Sequence, residues 1–139
     1  VASVGGLLPM AYAEAYAASK HGLVGFTRAL RATLARSGGG VQASLVCPGF
    51  IADTGMYADR AASRGIRSPF LVGACTSQQV AQAVLRCLER GPREVIVAGA
   101  LVRGLCAAYG LAPRLCDWLI HRAGGHTVLE GVAQAEGRR

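Results

Sequence analysis

The chain has 139 residues, of which 52% are hydrophobic and 17% are charged. This length and composition allow one domain with a sizeable core and exclude a disordered tail. The formal net charge is +7, but the cations are spread along the chain. Without a basic stripe interleaved with aromatic residues, we do not expect the protein to bind nucleic acid.

The first forty-six residues read as strand, turn, helix and strand. Val1–Ser3 is predicted to end a buried strand, and Gly5 and Gly6 to form a turn. A helix is predicted over 11–36, ended by three glycines, and a strand over 41–46. This order favours a parallel α/β sheet with right-handed crossovers. Apolar residues that recur every three or four positions predict a buried stripe on the helix. They are Leu23, Phe26, Leu30 and Leu34.

The next segment, 55–76, shows no clear period. Ser77 is a predicted N-cap for a helix that runs to Arg90, and 94–97 is a short buried strand. The helix places Val80, Val84 and Leu88 on one face. Segment 55–76 contains four large apolar residues: Met56, Tyr57, Ile66 and Phe70. They would suit an apolar substrate or serve as ordinary packing residues, and both interpretations stay open.

Beyond residue 99 the chain predicts two apolar helices, over 101–109 and 113–122, followed by a mobile tail over 124–139. The second helix carries an apolar side that ends in Arg122. Arginines flank both helices, so a weak membrane-surface contact or a partner-binding hairpin is one interpretation. Packing against the domain or a second subunit is the favoured one. The apolar side consists of Leu115, Trp118 and Leu119.

The five cysteines form no C-x-x-C pair and have no histidine at metal-ligand spacing, so we expect no metal site. An odd number of cysteines in an apolar setting favours free thiols in a cytoplasmic protein. No window reaches the eighteen apolar residues of a membrane span. The cysteines are Cys47, Cys75, Cys87, Cys106 and Cys116.

The chemistry of the chain centres on Tyr16-Ala17-Ala18-Ser19-Lys20. Residues four apart lie on one face of a helix, so the Tyr16 phenol and the Lys20 ammonium should be neighbours. A free tyrosine has a pKa of about 10, too high for proton exchange near neutral pH. Because an adjacent cation favours the phenolate, Tyr16 is a candidate general acid and base.

Ser3 lies thirteen residues before Tyr16, and Pro48-Gly49 follows the next predicted strand. Together with Tyr16 and Lys20, these residues resemble the short-chain dehydrogenase/reductase family. The resemblance runs over about 1–97 and implies the C-terminal part of a Rossmann-like doubly wound parallel sheet over 1–99, with a helical extension over 100–123. The carboxyl ends of parallel strands form the ligand-binding edge of such sheets, where Ser3 and Pro48-Gly49 would meet.

The family's glycine-rich dinucleotide fingerprint is absent from this chain, as is its asparagine-containing stretch before the serine. We therefore expect the chain to be the C-terminal part of a longer protein and inactive by itself. The acidic or arginine residue that chooses between NAD and NADP is also not found here.

The resemblance implies a role for each matching residue. Tyr16 exchanges a proton with a small carbonyl or alcohol substrate, Ser3 donates a hydrogen bond to the substrate oxygen, and Lys20 binds the nicotinamide ribose. Pro48 and Gly49 let the nicotinamide ring approach, while Ile51 and Thr54 hold its carboxamide. The resemblance further implies a homodimer or homotetramer, and a substrate lid over 55–76. The alternative is a non-catalytic remnant that acts as an association module through its C-terminal helices.

Overall fold

The computed structural model describes residues 1–64, 73–124 and 130. Ile66, Phe70 and nearly all of the predicted tail lie outside the described residues. Helices lie before, between and after the two parallel strands, as the predicted α/β class requires. In chain order they are a 3₁₀ turn Val4–Gly6, α1 Glu14–Ser37, β1 Leu45–Pro48, α2 Gly55–Arg64, α3 Ser77–Arg90, β2 Glu94–Val97, α4 Ala100–Ala108 and α5 Pro113–Arg122.

The two strands pair in parallel, with Leu45 beside Glu94 and Pro48 beside Val97. At the start of the chain, the Ala2 amide donates a hydrogen bond to the Val46 carbonyl of β1 at 2.7 Å. The strand over 94–97 is confirmed. The strand predicted over 41–46 instead begins at Leu45, because the backbone first reaches its neighbour there: the Leu45 amide donates to the Arg93 carbonyl.

Two apolar clusters meet at the 3₁₀ turn. The sheet cluster contains buried side chains from the chain start, α1 and β1, with Leu7 packed against it: Ala2, Val24, Leu45 and Cys47. The hairpin cluster joins α4 and α5 to Leu8, with Val4 packed against it: Val102, Leu105, Cys116 and Ile120. The favoured interpretation of the C-terminal helices, packing against the domain, therefore holds for their inner face.

The buried stripe predicted for α1 is wrong. Phe26 is 64% exposed, and Leu23 and Leu30 are also exposed, whereas Val24 is the buried residue of the helix. The inward face instead carries polar groups: the Arg31 guanidinium donates to the carbonyls of Ala43, Gly91 and Pro92. Tyr16 and Lys20 lie on this same inward face, half-buried. The face is chosen by contacts with the turn and the sheet, where Val24 is the one buried apolar side chain of the helix.

The helix α3 differs from its prediction in a similar way. Its N-cap is Thr76, which forms a capping box with Gln79, so Ser77 is the first helical residue and not the cap. Ala83 is buried, whereas Val84 and Leu88 are exposed.

The helix α5 has the predicted bounds, but Cys116 and Ile120 are its buried residues, and Leu115 and Trp118 face outward. Among the helices in the described ranges, none is long and apolar enough to cross a membrane.

Candidate active site

Ser3 sits where the chain start meets the end of β1. Its backbone is extended and its side chain is buried. The hydroxyl oxygen accepts a hydrogen bond from the Gly5 amide at 3.1 Å, and the hydroxyl donates to the Pro48 carbonyl at 3.4 Å. Ser3 and Pro48, which are 45 residues apart in sequence, are thus brought together at one edge of the sheet, as predicted.

The turn after Ser3 packs against α1 without intervening side chains. A Cβ atom on Gly6 would lie 2.6 Å from the carbonyl oxygen of Lys20, closer than carbon and oxygen tolerate. A Cβ atom on Gly5 would lie 3.2 Å from the Tyr16 ring and would overlap the sulfur of Met10. Glycine at position 6 lets the first turns of α1 lie directly on the turn, and glycine at position 5 leaves room for the Met10 side chain.

Tyr16 and Lys20 are neighbours on α1, as the spacing predicted. The Lys20 Nζ atom lies 5.4 Å from the centroid of the Tyr16 ring. Gly5, whose amide donates to the Ser3 oxygen, lies beside the Tyr16 ring. The structure therefore assembles a phenol, an ammonium group and a hydroxyl around one turn, the set of groups that an acid-base site for an oxygen-centred substrate needs.

The loop after β1 is held by backbone hydrogen bonds. The Gly49 amide donates to the Val97 carbonyl at 3.0 Å. Further on, Cys75 accepts from the Ala52 amide at 2.9 Å and donates to the Phe50 carbonyl at 2.7 Å. Neither bond uses the amide or the carbonyl of Ile51. Because alternate peptide groups of an extended chain point to opposite sides, the Ile51 groups face away from Cys75, so a ligand carboxamide could pair with them.

Asp53 anchors the end of this loop to α3. Its carboxylate accepts from the Ser77 hydroxyl at 2.6 Å and from the Ser77 amide at 2.9 Å. The hydroxyl bond, and then the amide bond, hold the pKa of Asp53 below its ordinary value. Thr54 is exposed and immediately precedes α2, so its predicted contact with a carboxamide stays a prediction.

Two further residues near the site have structural roles. Cys47 lies on β1 in the sheet cluster, and burial raises the pKa of its thiol to about 12. A thiol that stays protonated at neutral pH is not a nucleophile. The exposed His21 ring bonds the Ala17 carbonyl one turn earlier.

Sequence reasoning missed three contacts of the site. Gly5 and Gly6 were interpreted as a turn only, although adjacent glycines beside a predicted catalytic helix are a signal for close packing. The pairing of Ile51 with Cys75 and the anchoring of Ser77 by Asp53 had no sequence signal, because both join loops of irregular sequence.

Comparisons with known proteins match the part of the chain that contains these residues. The family model described as short chain dehydrogenase matches residues 1–65. The ketoacyl reductase HetN of Nostoc sp. is 40% identical over 97 residues, 70% of this chain and 32% of that protein. Human 15-hydroxyprostaglandin dehydrogenase (NAD(+)) is 51% identical over 53 residues, 37% of this chain and 19% of that protein.

A third relative, the dehydrogenase/reductase SDR family protein 7-like of Anopheles gambiae, is 26% identical over 125 residues, 88% of this chain and 39% of that protein. The chain thus spans well under half the length of these relatives. No solved structure matches the chain.

Replacing Gly6 by alanine should lower the free energy of unfolding by about 1–3 kcal/mol, because the added methyl group must push α1 away from the turn. Gly22→Ala is the matched control: Gly22 lies on the exposed side of α1 with open space around it, and alanine there should stabilise by roughly 0.5–1 kcal/mol. Urea unfolding followed by circular dichroism measures both. Equal effects of the two variants would contradict the close contact.

Asp53→Asn should destabilise the protein at pH 7. Because the folded pKa of Asp53 is lowered, its stabilisation is present above the unfolded value of about 3.9 and is lost as the pH falls through the folded value. The stability difference between wild type and variant should therefore shrink between pH 5 and the acid limit of folding. Glu89→Gln, at an exposed position of α3, serves as the control. If the stability difference between wild type and Asp53→Asn did not change with pH, stabilisation by the hydrogen bonds from Ser77 to Asp53 would be excluded.

Proposed function

This chain belongs, through residues 1–65, to the short-chain dehydrogenase/reductase family, and on that premise we propose that the protein interconverts a carbonyl and an alcohol with NAD or NADP. The observation that supports this most directly is the series of neighbouring groups from the Pro48 carbonyl through Ser3 and Gly5 to the ring of Tyr16, with Lys20 beside it. The relatives are named as reductases and dehydrogenases, which agrees with the proposal.

In the proposed reaction Tyr16 donates its phenolic proton to the carbonyl oxygen during reduction, and takes a proton from the hydroxyl group during oxidation. The charge left on the phenolate oxygen is stabilised by the Lys20 ammonium, which is held beside the ring by the i to i+4 spacing of the helix. Both side chains are half-buried, so water screens their interaction less than it would on an open surface.

Ser3 would position the substrate oxygen. The Gly5 amide fixes the Ser3 oxygen, whereas the bond that the hydroxyl donates to Pro48 is long, at 3.4 Å. Rotation of the hydroxyl hydrogen alone could therefore transfer this donor from the Pro48 carbonyl to a substrate oxygen. The substrate oxygen would then accept one bond from Ser3 and one from Tyr16, the arrangement that polarises a carbonyl for attack.

The residues at the sheet edge fit a nicotinamide. The Ile51 amide and carbonyl offer one donor and one acceptor, which match the two halves of a carboxamide. We propose that Pro48 and Gly49 border the flat ring, that Lys20 binds the ribose hydroxyls, and that Thr54 is a further contact. Bound there, the nicotinamide would supply or accept the hydride.

We propose a substrate whose keto or hydroxy group is attached to an apolar chain. The relatives' names refer to ketoacyl and hydroxyprostaglandin compounds. In this chain, Tyr57 stacks on Phe50 with ring centroids 4.7 Å apart, directly after the loop of the site, and Met56 beside it is exposed. These side chains give the substrate side of the site an apolar wall.

We further propose that the protein acts in the cytoplasm as a homodimer or homotetramer that pairs through the outer face of α1. This face exposes an apolar stripe that the sheet does not use, which is the kind of surface that a second copy covers. The stripe consists of Leu23, Phe26 and Leu30.

Tyr16→Phe, made in the full gene product that contains this sequence, should lower turnover of a ketoacyl thioester by roughly 10²–10⁴-fold, because the proton donor is removed. Nicotinamide absorbance measures turnover, and titration with NADH and NADPH should show cofactor affinity nearly unchanged. Tyr109→Phe removes the hydroxyl of the residue that follows α4, which has no role in the proposed reaction, and should leave turnover near the wild-type value.

Retained turnover in Tyr16→Phe would refute the assignment of Tyr16. If the wild-type protein turned over no carbonyl or alcohol with either cofactor, the association-module alternative would replace the enzyme.

Phe26→Glu should shift the protein toward the monomer, because it places a charge in the middle of the proposed α1 interface. Leu88→Glu changes an exposed leucine on α3 in the same way and should leave the association state unchanged. Sedimentation velocity over a range of concentrations distinguishes them. Wild type that sediments as a monomer throughout, or two variants with the same profile, would rule out this interface.

A further inference from the structure

The outer face of the α4–α5 hairpin is apolar although its inner face already packs on the domain. Leu111, in the turn between the helices, is 90% exposed. Leu115 and Trp118 follow at helical spacing on α5 and are 56% and 55% exposed. We call these three residues the hairpin face. The hairpin core lies on the opposite side, where Cys116 and Ile120 are buried.

Three exposed arginines lie on the two helices of the hairpin, one of them against Trp118. Arg103, Arg114 and Arg122 are all exposed, and the Arg122 guanidinium lies 5.3 Å from the centroid of the Trp118 ring. The one carboxylate of the two helices is Asp117. Burial, and then the neighbouring Asp117 carboxylate, raise the pKa of Tyr109. The face therefore combines exposed apolar side chains with an excess of positive charge.

We propose that the hairpin face docks on an anionic lipid surface. Leu111 and Leu115 would enter the boundary between headgroups and acyl chains, Trp118 would lie at headgroup level, and the arginines would contact lipid phosphates and carboxylates. The helix α5 has ten residues. At 1.5 Å per residue it is about 15 Å long, so it would lie in the plane of the surface and not cross the membrane.

The charge pattern favours lipid over a second copy of the chain. In a two-fold symmetric dimer the same patch meets itself, so the arginines of one hairpin face would lie opposite those of the other. Like charges brought together in this way oppose association, whereas an anionic surface attracts all of them at once. The outer face of α1 has no comparable group of cations around Phe26, since the nearby Arg28 is paired with Glu94 at 2.9 Å.

Trp118 is the single tryptophan of this sequence. In the full gene product, the part of the emission that Trp118→Phe removes reports on the hairpin face. Titrating the protein with vesicles of phosphatidylcholine and phosphatidylserine in equal parts should shift the emission to shorter wavelength. Vesicles of phosphatidylcholine alone should bind at least tenfold more weakly, and added salt should weaken binding to the anionic vesicles.

Two variants separate the parts of the proposal. Leu111→Ser with Leu115→Ser removes the inserting side chains, and Arg114→Glu with Arg122→Glu reverses the charge; each pair should weaken binding to anionic vesicles by roughly tenfold or more. Leu88→Ser, at a leucine of α3 that is 79% exposed, is the matched control and should bind as wild type does. Circular dichroism verifies that each variant is folded, and the arginine variant decides the outcome if the leucine variant is unfolded.

The absence of an emission shift with anionic vesicles would overturn the proposal. Equal binding to both kinds of vesicle, or wild-type binding by the arginine variant, would overturn the role of charge. A shift that grows with protein concentration in the absence of vesicles would show that a second copy covers the face instead of lipid.

Discussion

The direct contact between the Gly5-Gly6 turn and α1 is the constraint on which the rest of the structure depends. Because no side chain separates Gly6 from the Lys20 backbone, the helix can approach closely enough for Tyr16 to lie over Gly5. The same turn positions the Ser3 oxygen through the Gly5 amide. Its flanking residues enter both apolar clusters, Leu7 the sheet cluster and Leu8 the hairpin cluster. The site is thus built at the junction of the two cores.

Sequence reasoning succeeded where local chemistry decides the outcome. The i to i+4 spacing of Tyr16 and Lys20 needs only a helix to make them neighbours, and α1 provides it. The strand Glu94–Val97 contains a short apolar run over 95–97 after a helix stop, and its predicted bounds are confirmed. The meeting of Ser3 with Pro48 followed from a general rule that parallel strands end at one edge of a sheet.

Sequence reasoning failed where tertiary contacts choose between two plausible faces. On α1, the stripe through Phe26 is more apolar than the stripe through Tyr16, Lys20 and Arg31, so periodicity selects the wrong one. The inward face is set by polar and backbone contacts: the glycine turn at one end and the carbonyls bound by Arg31 at the other. The same holds for α3, where small Ala83 faces the sheet and large Leu88 faces outward. The hydrophobic residues of a sequence mark every surface that is removed from water, including surfaces that a partner covers. They therefore do not show which surface is buried within one chain.

This distinction leads to a physical relation between the hairpin and the site. Leu8 and Val4, which pack against α4 and α5, flank the same turn that positions Ser3. A lipid surface on the outer face of the hairpin would therefore lie one helical layer, about 10 Å, from the packing contacts of that turn. Substrates with apolar chains are concentrated in lipid surfaces by the same hydrophobic effect that would hold Leu111 and Leu115 there. Docking would then raise the local concentration of such substrates near the site without any change in the chemistry of Tyr16.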